Sequence, residues 1–138
     1  SVHWGYEFQA GPSKSLSELS QTWSDAGADI IWGHHPHVLQ RIELLQSNAD
    51  GHETLVMYSL GNLLADQFMF ADTQRAALVQ VIVEKGKIRR VVIIPAKFDW
   101  DRLELDYSPG TDERTRILER MNLQELDPDF AVEYTGKD

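Results

Sequence analysis

Histidines cluster in one short loop of this sequence, where they could bind a metal ion. Of the five histidines, three fall in the segment Gly33-His34-His35-Pro36-His37. Imidazole is the side chain that most commonly ligates metals in proteins. Both rings of His35 and His37 would point to one side of an extended backbone, and Pro36 would stiffen the segment between them. The pattern therefore predicts a metal or catalytic site. His34 is the member least suited to ligation, and we expect it to stack on or hydrogen-bond a supporting group.

A second constellation lies at the start of the chain, in His3-Trp4-Gly5-Tyr6-Glu7. His3 stands at the end of a candidate strand, Gly5 permits a sharp turn, and Glu7 follows two residues later. The ordinary alternative is a buried histidine beside a core tryptophan. One strand–helix–strand crossover separates His3 from the histidine loop, and such a crossover brings the ends of adjacent parallel strands together. We therefore expect the imidazole of His3 to meet those of His35 and His37.

The third constellation is Tyr58-Ser59-Leu60-Gly61-Asn62. A strand that ends this way offers a hydroxyl, backbone N–H groups and an amide, which could hold an anion. Ser59, Gly61 and Asn62 are therefore candidate cofactor-binding residues, although the segment taken alone favours an ordinary turn. Asp66 is a carboxylate within reach of the same face. The Gly-x-Ser-x-Gly motif of a hydrolase nucleophile elbow is absent from the sequence.

Composition limits the class of protein. The 138 residues suffice for one domain or part of one, and the absence of cysteine excludes a disulfide framework, a thiolate zinc site and a catalytic cysteine. The formal net charge of −9 argues against general nucleic-acid binding, because its field repels polyanions. No apolar stretch approaches the roughly 20 residues that span a bilayer. The chain starts at Ser1 without Met, and we expect a fragment or a processed piece.

The hydrophobic pattern predicts a helix over residues 15–26, between the first two constellations. Ser15 and Glu18 would form a capping box at its start. Its apolar residues recur at three- and four-residue steps, as on one face of an α-helix, at Leu16, Leu19, Trp23 and Ala26. The apolar run at residues 29–32 predicts a short buried strand, parallel to its neighbour because a helix has just crossed over.

Antiparallel strands are predicted to follow, which makes the class mixed α/β. The predicted strands cover residues 38–45, 54–58, 76–84 and 87–95, and the last two form a hairpin through Lys85-Gly86. Residues 99–110 are acidic and are expected to form a loop. Residues 111–121 have acidic residues early and arginines late, which predicts a helix. From residue 127 onward we expect loosely ordered chain.

Taken in order, these motifs resemble the capsule-synthesis CapA family, also described as the poly-γ-glutamate synthesis domain, a branch of the calcineurin-like metallophosphoesterase superfamily. The resemblance is carried by His3-Trp4-Gly5-x-Glu7, by residues 26–40 with their Gly-His-His-Pro-His segment, and by Tyr58-Ser-Leu-Gly-Asn62 with Asp66. It covers about residues 2–98. We therefore predict that residues 1–98 are the C-terminal part of the family's domain and that residues 99–138 form an acidic loop, a helix and a tail.

The resemblance implies the C-terminal half of a four-layer αββα sandwich with a dinuclear metal centre at the strand ends. By matching motifs, the metal ligands would be His3, His35 and His37. His34 and Glu7 would act beside them as catalytic residues. Imidazole with carboxylate ligands suits Mn, Fe or Zn, and the intact protein would bind two such ions. The family's earlier ligand blocks would lie upstream of Ser1, so we expect this chain alone to be inactive.

The implied function is capsule or poly-γ-glutamate biosynthesis, with metal-assisted hydrolysis or transfer by the intact protein. The expected partners are an anionic polymer or phosphoester substrate, the missing N-terminal half of the domain and a membrane synthase complex, but no nucleic acid. The expected location is the outer face of the bacterial cell membrane or the extracellular space. One alternative is a non-catalytic component that binds or exports the polymer. Another is a structural fragment whose histidines no longer bind metal.

Overall fold

The computed structural model describes residues 1–67 and 69–133, and within them it is a mixed α/β fold with two sheets and two α-helices. The elements, in chain order, are β1 (Val2–His3), α1 (Lys14–Asp25), β2 (Ile30–His34), β3 (Ile42–Gln46), β4 (Glu53–Met57), β5 (Arg75–Glu84), β6 (Lys87–Asp99), β7 (Glu104–Asp106), α2 (Thr111–Arg120) and β8 (Ala131–Glu133). Short 3-10 helices cover Ala71–Gln74 and Leu123–Glu125. The predicted fold class is confirmed.

The first sheet brings the three candidate constellations to one edge. Its strand order is β1-β2-β4-β3, with β1 and β4 both parallel to β2 and with β3 antiparallel to β4. His3 lies beside His34 in the register of β1 and β2. The carboxyl ends of three parallel strands therefore share one edge, which is where open α/β sheets place their ligands.

The second sheet is built on the predicted hairpin. β5 and β6 pair antiparallel, β7 continues the sheet antiparallel to β6, and β8 pairs parallel to β6. Isolated bridges join Leu39 to Leu60 and Gly61 to Ala76. The second bridge ties the segment after β4 to the first residues of β5, so the turn at residues 59–62 is held between the two sheets.

Two hydrophobic clusters hold the layers together. Helix α1 covers one face of the first sheet through a cluster formed by Trp4, Ile31, Val56 and Tyr58, with Leu16 and Trp23 packed against it. The other face contributes to a larger cluster with the second sheet and α2, formed by Leu39, Ile42, Leu55, Met57, Ala77, Val91, Ile93, Ile117, Met121 and Ala131. β4 is buried on both faces because its alternate residues enter the two clusters.

Helix α1 differs from the prediction at its start and on its buried face. It begins at Lys14, because the extended backbone of Ser13 makes that residue the N-cap, and its Oγ accepts the Leu16 N–H at 3.3 Å. The predicted capping box at Ser15 is therefore wrong. Leu19 is 37% exposed, whereas Ser20 and Ser24 are fully buried. The Ser20 hydroxyl donates to the Leu16 carbonyl at 2.9 Å, and the Ser24 hydroxyl lies 2.9 Å from that of Thr54 in β4.

β2 was predicted to be buried, and only one of its faces is. Ile31 and Gly33 are buried, whereas Ile30 is 39% exposed and Trp32 is 46% exposed. Helix α1 covers the face of Ile31, whereas Trp32 on the other face lines a cavity with Leu78 and Val79 of β5. The apolar sequence of β2 therefore predicts more burial than the structure shows, because sequence periodicity does not report how much of each face another element covers.

Three strands also differ from the sequence prediction, one in its start and two in being present at all. β3 starts at Ile42 rather than at residue 38. β7 lies inside residues 99–110, which were predicted to be a loop, and is held by pairing with β6. β8 lies in the segment predicted to be loosely ordered, where its backbone pairs with that of Val91–Ile93. Residues 134–138 of that tail lie outside the described residues. In the described chain, neither helix has the length and apolar character needed to cross a bilayer.

Candidate metal centre

The histidine loop reaches its geometry through an unusual backbone. We expected extended backbone at His35 and His37, but their φ angles are 100° and 61°, in the left-handed region that side chains other than glycine rarely adopt. Their rings nevertheless converge, with centroids 6.0 Å apart. Such strain persists only where the surroundings enforce it, and it concentrates at functional sites. Here the Pro36 carbonyl accepts the Phe8 N–H at 2.8 Å.

His3 joins this pair from the neighbouring strand. It ends β1, and its ring centroid lies 4.5 Å from that of His35. The adjacent Trp4 N–H donates to the His34 carbonyl at 3.0 Å, which fixes the start of the first loop against the second. The parallel pairing of β1 and β2 thus brings the ring of His3 beside that of His35, but His3 is not among the groups whose ligating atoms all lie within 4.8 Å of one another.

Glu7 completes a set of metal-ligating groups. One carboxylate oxygen of Glu7 and one ring nitrogen each of His35 and His37 all lie within 4.8 Å of one another. We refer to Glu7, His35 and His37 as the His–Glu cluster. Glu7 is exposed and both histidines are partly buried, so the cluster is open to solvent on one side. Imidazole nitrogens with a carboxylate suit divalent transition metals, and the donor set therefore fits the predicted ion.

Asn62 orients one of the histidines. Its Nδ2 donates to the Thr73 carbonyl at 3.2 Å and to Gln67 Oε1 at 3.0 Å, so its Oδ1 is the atom 2.8 Å from His37 Nδ1. An amide oxygen only accepts, and His37 Nδ1 must therefore carry the proton. Nε2 then keeps its lone pair for a metal ion. Asp66 is exposed, and Asn62 bonds to Gln67 rather than to that carboxylate.

Ser59 and Gly61 shape the turn that presents Asn62. Ser59 is 2% exposed; its hydroxyl accepts the Gly61 N–H at 3.4 Å and its carbonyl accepts the Gln40 N–H at 3.0 Å. Gly61 has a φ of 72°, and a Cβ there would lie 2.2 Å from the Arg75 carbonyl oxygen. These groups are occupied by the protein itself. The turn interpretation describes their local structure, and the role as an anion or cofactor site stays a prediction.

The structure does not bring His34 into the His–Glu cluster. Because β2 alternates, His34 shares a face with Trp32, whose ring lies 5.2 Å away, and its Nε2 is 3.0 Å from the Ser1 hydroxyl. It lines a cavity of about 420 Å³ together with Leu60, Asn62 and Leu64. Asn62 therefore stands between His34 and the cluster, and the predicted catalytic role of His34 would require a substrate that reaches this cavity.

Gln40 is a site residue that sequence reasoning did not identify. It is 2% exposed, and its Nε2 donates to the Gln9 carbonyl at 2.8 Å. Its backbone N–H donates to the Ser59 carbonyl. Gln40 thus ties together the segment of Glu7, the histidine loop and the turn of Asn62. Its position three residues after His37 was the available signal, but its amide carries no distinctive chemistry.

An ionic network supports the same region from the second sheet. Arg75 is 8% exposed, and its guanidinium bonds to Glu113 at 2.6 Å and to Asp72. The hydrogen bond from Arg75 lowers the pKa of the Glu113 carboxyl, and the bond to Glu113 raises the pKa of Arg75. Asp72 also accepts from Arg120 at 2.9 Å. The network anchors the 3-10 helix whose Thr73 carbonyl orients Asn62.

The residues of this site fall in the part of the chain that matches a known protein family. Residues 1–67, which include every member of the His–Glu cluster, match the family described as bacterial capsule synthesis protein PGA_cap. The chain is 34% identical over 136 residues to the PGA biosynthesis protein CapA of Bacillus subtilis (strain 168), covering 99% of the chain and 32% of the relative. It is 42% identical over 94 residues to the capsule biosynthesis protein CapA of Bacillus anthracis, covering 68% of the chain and 21% of the relative.

Proposed function

The chain belongs, through residues 1–67, to the family of the bacterial capsule synthesis protein PGA_cap, and on that premise we propose that it forms part of a capsule biosynthesis protein with a divalent metal site. The observation that carries the proposal is the His–Glu cluster, whose three ligating atoms lie within 4.8 Å of one another. The chain spans about a third of the first relative and about a fifth of the second. The activity of the whole protein is therefore part of the proposal.

The residues present define how a metal ion would be held. Glu7, His35 and His37 would supply one oxygen and two nitrogens. His3 lies outside this group, and its ring, 4.5 Å from that of His35, would have to turn toward the ion to add a further nitrogen. Such a set suits Mn, Fe or Zn rather than Ca. The dinuclear centre implied by the family resemblance needs ligands beyond those of the described residues. A second ion thus depends on other polypeptide in the intact protein.

The chemistry proposed for the intact protein is metal-assisted hydrolysis or transfer. A cation held by Glu7, His35 and His37 would lower the pKa of a bound water and would polarise a phosphoryl or carboxyl oxygen of the substrate. The chain's own residues keep the site ready. Asn62 holds the His37 proton on Nδ1, and Gln40 keeps the Glu7 segment against the histidine loop. His34 faces the neighbouring cavity, where a substrate group could meet its imidazole.

The names of the relatives support our proposals for the substrate and the location. One relative is named a PGA biosynthesis protein and the other a capsule biosynthesis protein. We take an anionic capsule polymer, or a phosphoester precursor of it, as the substrate, and the cell surface as the place of action. A membrane synthase complex is the proposed partner.

A second candidate function is binding or export of the polymer without catalysis. The observation that favours it is a cavity lined by Arg75, Arg116 and Arg120, because arginines can hold an anionic chain without a metal ion. This candidate and the metal-dependent enzyme differ in one measurable property, which is turnover.

The test measures bound metal and turnover in the full-length protein. His35→Ala/His37→Ala is expected to abolish stoichiometric Mn²⁺ or Zn²⁺ binding, measured by elemental analysis and calorimetry. His52→Ala is the matched control, because His52 pairs with Asp29 at 3.3 Å and lies outside the cluster. Hydrolysis of a phosphoester and of a γ-glutamyl oligomer is then followed with added Mn²⁺.

The outcomes separate the candidates. Loss of metal and of turnover in the double variant, with both kept in His52→Ala, supports the enzyme. Polymer binding that persists without metal and without turnover supports the second candidate. Equal metal content in the double variant and the unmodified protein contradicts the proposed site.

A further inference from the structure

A polar cavity of about 490 Å³ lies between helix α2 and the loops that connect the strands. It is lined by Ala10, Leu39, Asp72, Arg75, Arg116, Glu119 and Arg120. We refer to it as the arginine cavity. Three cations and two carboxylates give its lining a formal charge of +1, in a chain whose net charge is −9. Because Glu113 pairs with Arg75 from outside the lining, the positive charge that could attract an anion lies on Arg116 and Arg120.

The three arginines of the cavity differ in exposure and in the ion pairs that they make within the protein. Arg75 is used by Glu113 and Asp72 and is nearly buried. One guanidinium nitrogen of Arg120 donates to the Asp72 carboxylate, and the Arg120 side chain is 34% exposed. Arg116 is exposed and makes no direct ion pair among the described residues, although its charge helps to lower the pKa of Glu113. The cavity thus has a fixed basic wall at Arg75 and an available guanidinium at Arg116.

Chain connections place the arginine cavity beside the His–Glu cluster. Ala10 follows Glu7 by three residues, and Leu39 follows His37 by two. The ring of Phe8 lies 6.2 Å from that of His37 and 5.5 Å from that of Phe70, which immediately precedes the 3-10 helix carrying Asp72. An extended ligand could therefore reach both places.

We propose that the arginine cavity binds carboxylate groups of an acidic oligomer through Arg116 and Arg120, as a subsite next to the metal centre. The guanidinium fork matches a carboxylate with two parallel hydrogen bonds, and a γ-linked glutamate chain carries one free carboxylate per residue. Ala10, which is exposed, offers an apolar contact on the lining for the methylene groups of such a chain, whereas Leu39 is 2% exposed and belongs to the core. This inference rests on the proposed capsule function and adds the residues that recognise the polymer.

The experiment uses fluorescence anisotropy of a labelled γ-linked oligoglutamate with the full-length protein. Arg116→Glu is expected to weaken binding about tenfold at low salt, since an exposed ion pair is worth up to about fivefold and reversal adds repulsion. Glu119→Gln removes a lining carboxylate and is expected to tighten binding about two- to threefold. Arg89→Glu, on the β5–β6 hairpin and paired with Glu84, is the matched charge control.

Measurements of metal content and of oligomer binding distinguish a failure of this inference from a failure of the proposed function. Metal content is measured in each variant, and Arg116→Glu is expected to keep it. Weaker binding in Arg116→Glu and tighter binding in Glu119→Gln, with binding unchanged in Arg89→Glu, establish the subsite. Equal weakening by Arg116→Glu and Arg89→Glu overturns it, as does an absence of oligomer binding in the unmodified protein. Loss of metal in His35→Ala/His37→Ala is read independently of either result.

Discussion

At the scale of single residues, the site depends on how one amide is shared. Asn62 is 9% exposed and divides its hydrogen bonds between His37 and the 3-10 helix that precedes β5. This arrangement selects the proton position on His37 without using a charged group. A carboxylate at the same position would accept the same proton but could not donate to the Thr73 carbonyl.

We expect Asn62→Ala to weaken metal binding at the His–Glu cluster by about tenfold, because the bond that orients a ligating histidine contributes about 10–100-fold in affinity. Calorimetric titration with Zn²⁺ measures the change. Asn48→Ala is the control, since Asn48 bonds to Asp25 on the surface and is remote from the cluster. An unchanged affinity in Asn62→Ala would show that the fold alone orients His37.

Gly61 allows a second test at the same scale. Gly61→Ala should destabilise the protein by about 3 kcal/mol or more, since it combines a left-handed backbone with a Cβ contact at 2.2 Å to the Arg75 carbonyl oxygen. Gly86 also has a positive φ, of 75°, but a Cβ there meets nothing within 4 Å. Gly86→Ala should therefore cost only about 1 kcal/mol. Urea unfolding compares the two, and equal losses would refute the close approach.

At the scale of elements, two sheets meet around one short turn. The bridge between Gly61 and Ala76 and the bond from the Ala77 N–H to the Leu60 carbonyl attach the turn after β4 to the start of β5. The network of Arg75, Asp72 and Glu113 then fixes β5 to α2. Helix α2 is therefore connected, through Arg75, to the turn that carries Asn62.

The ion pair of Arg75 and Glu113 should make stability depend on acid pH. The pKa of Glu113 is lowered in the folded state, chiefly by the hydrogen bond from Arg75. Its stabilising contribution is therefore present above the unfolded value of about 4.3 and is lost as pH falls through the lower folded value. Glu113→Gln should lose about 2 kcal/mol at pH 7 and progressively less below pH 4.

Denaturant unfolding at several pH values measures this dependence. Glu84→Gln is the control, because Glu84 is 67% exposed and lies 3.7 Å from its partner Arg89, so its loss should change stability little. A difference between Glu113→Gln and the unmodified protein that stays constant from pH 7 to pH 3 would contradict the assignment.

At the scale of the whole molecule, metal binding should stabilise the fold, because its ligands come from two different loops. Free metal at about 100 times Kd should raise the free energy of unfolding by about 2.7 kcal/mol. Thermal unfolding with and without a chelator measures the rise. The His35→Ala/His37→Ala variant should show no such rise, and the same rise in that variant would place the bound metal elsewhere.

The sequence by itself determined the local elements and the chemistry available. Period-two and helical spacing located β5, β6 and both helices, and the order of the histidine motifs around one crossover predicted that His3 would meet His35. Only the tertiary structure decided how those side chains are held. The left-handed backbone at His35, the amide of Asn62 behind His37 and the exposure of Trp32 depend on contacts between segments far apart in the chain. Local periodicity carries no information about such contacts, because they form only when the two sheets pack together.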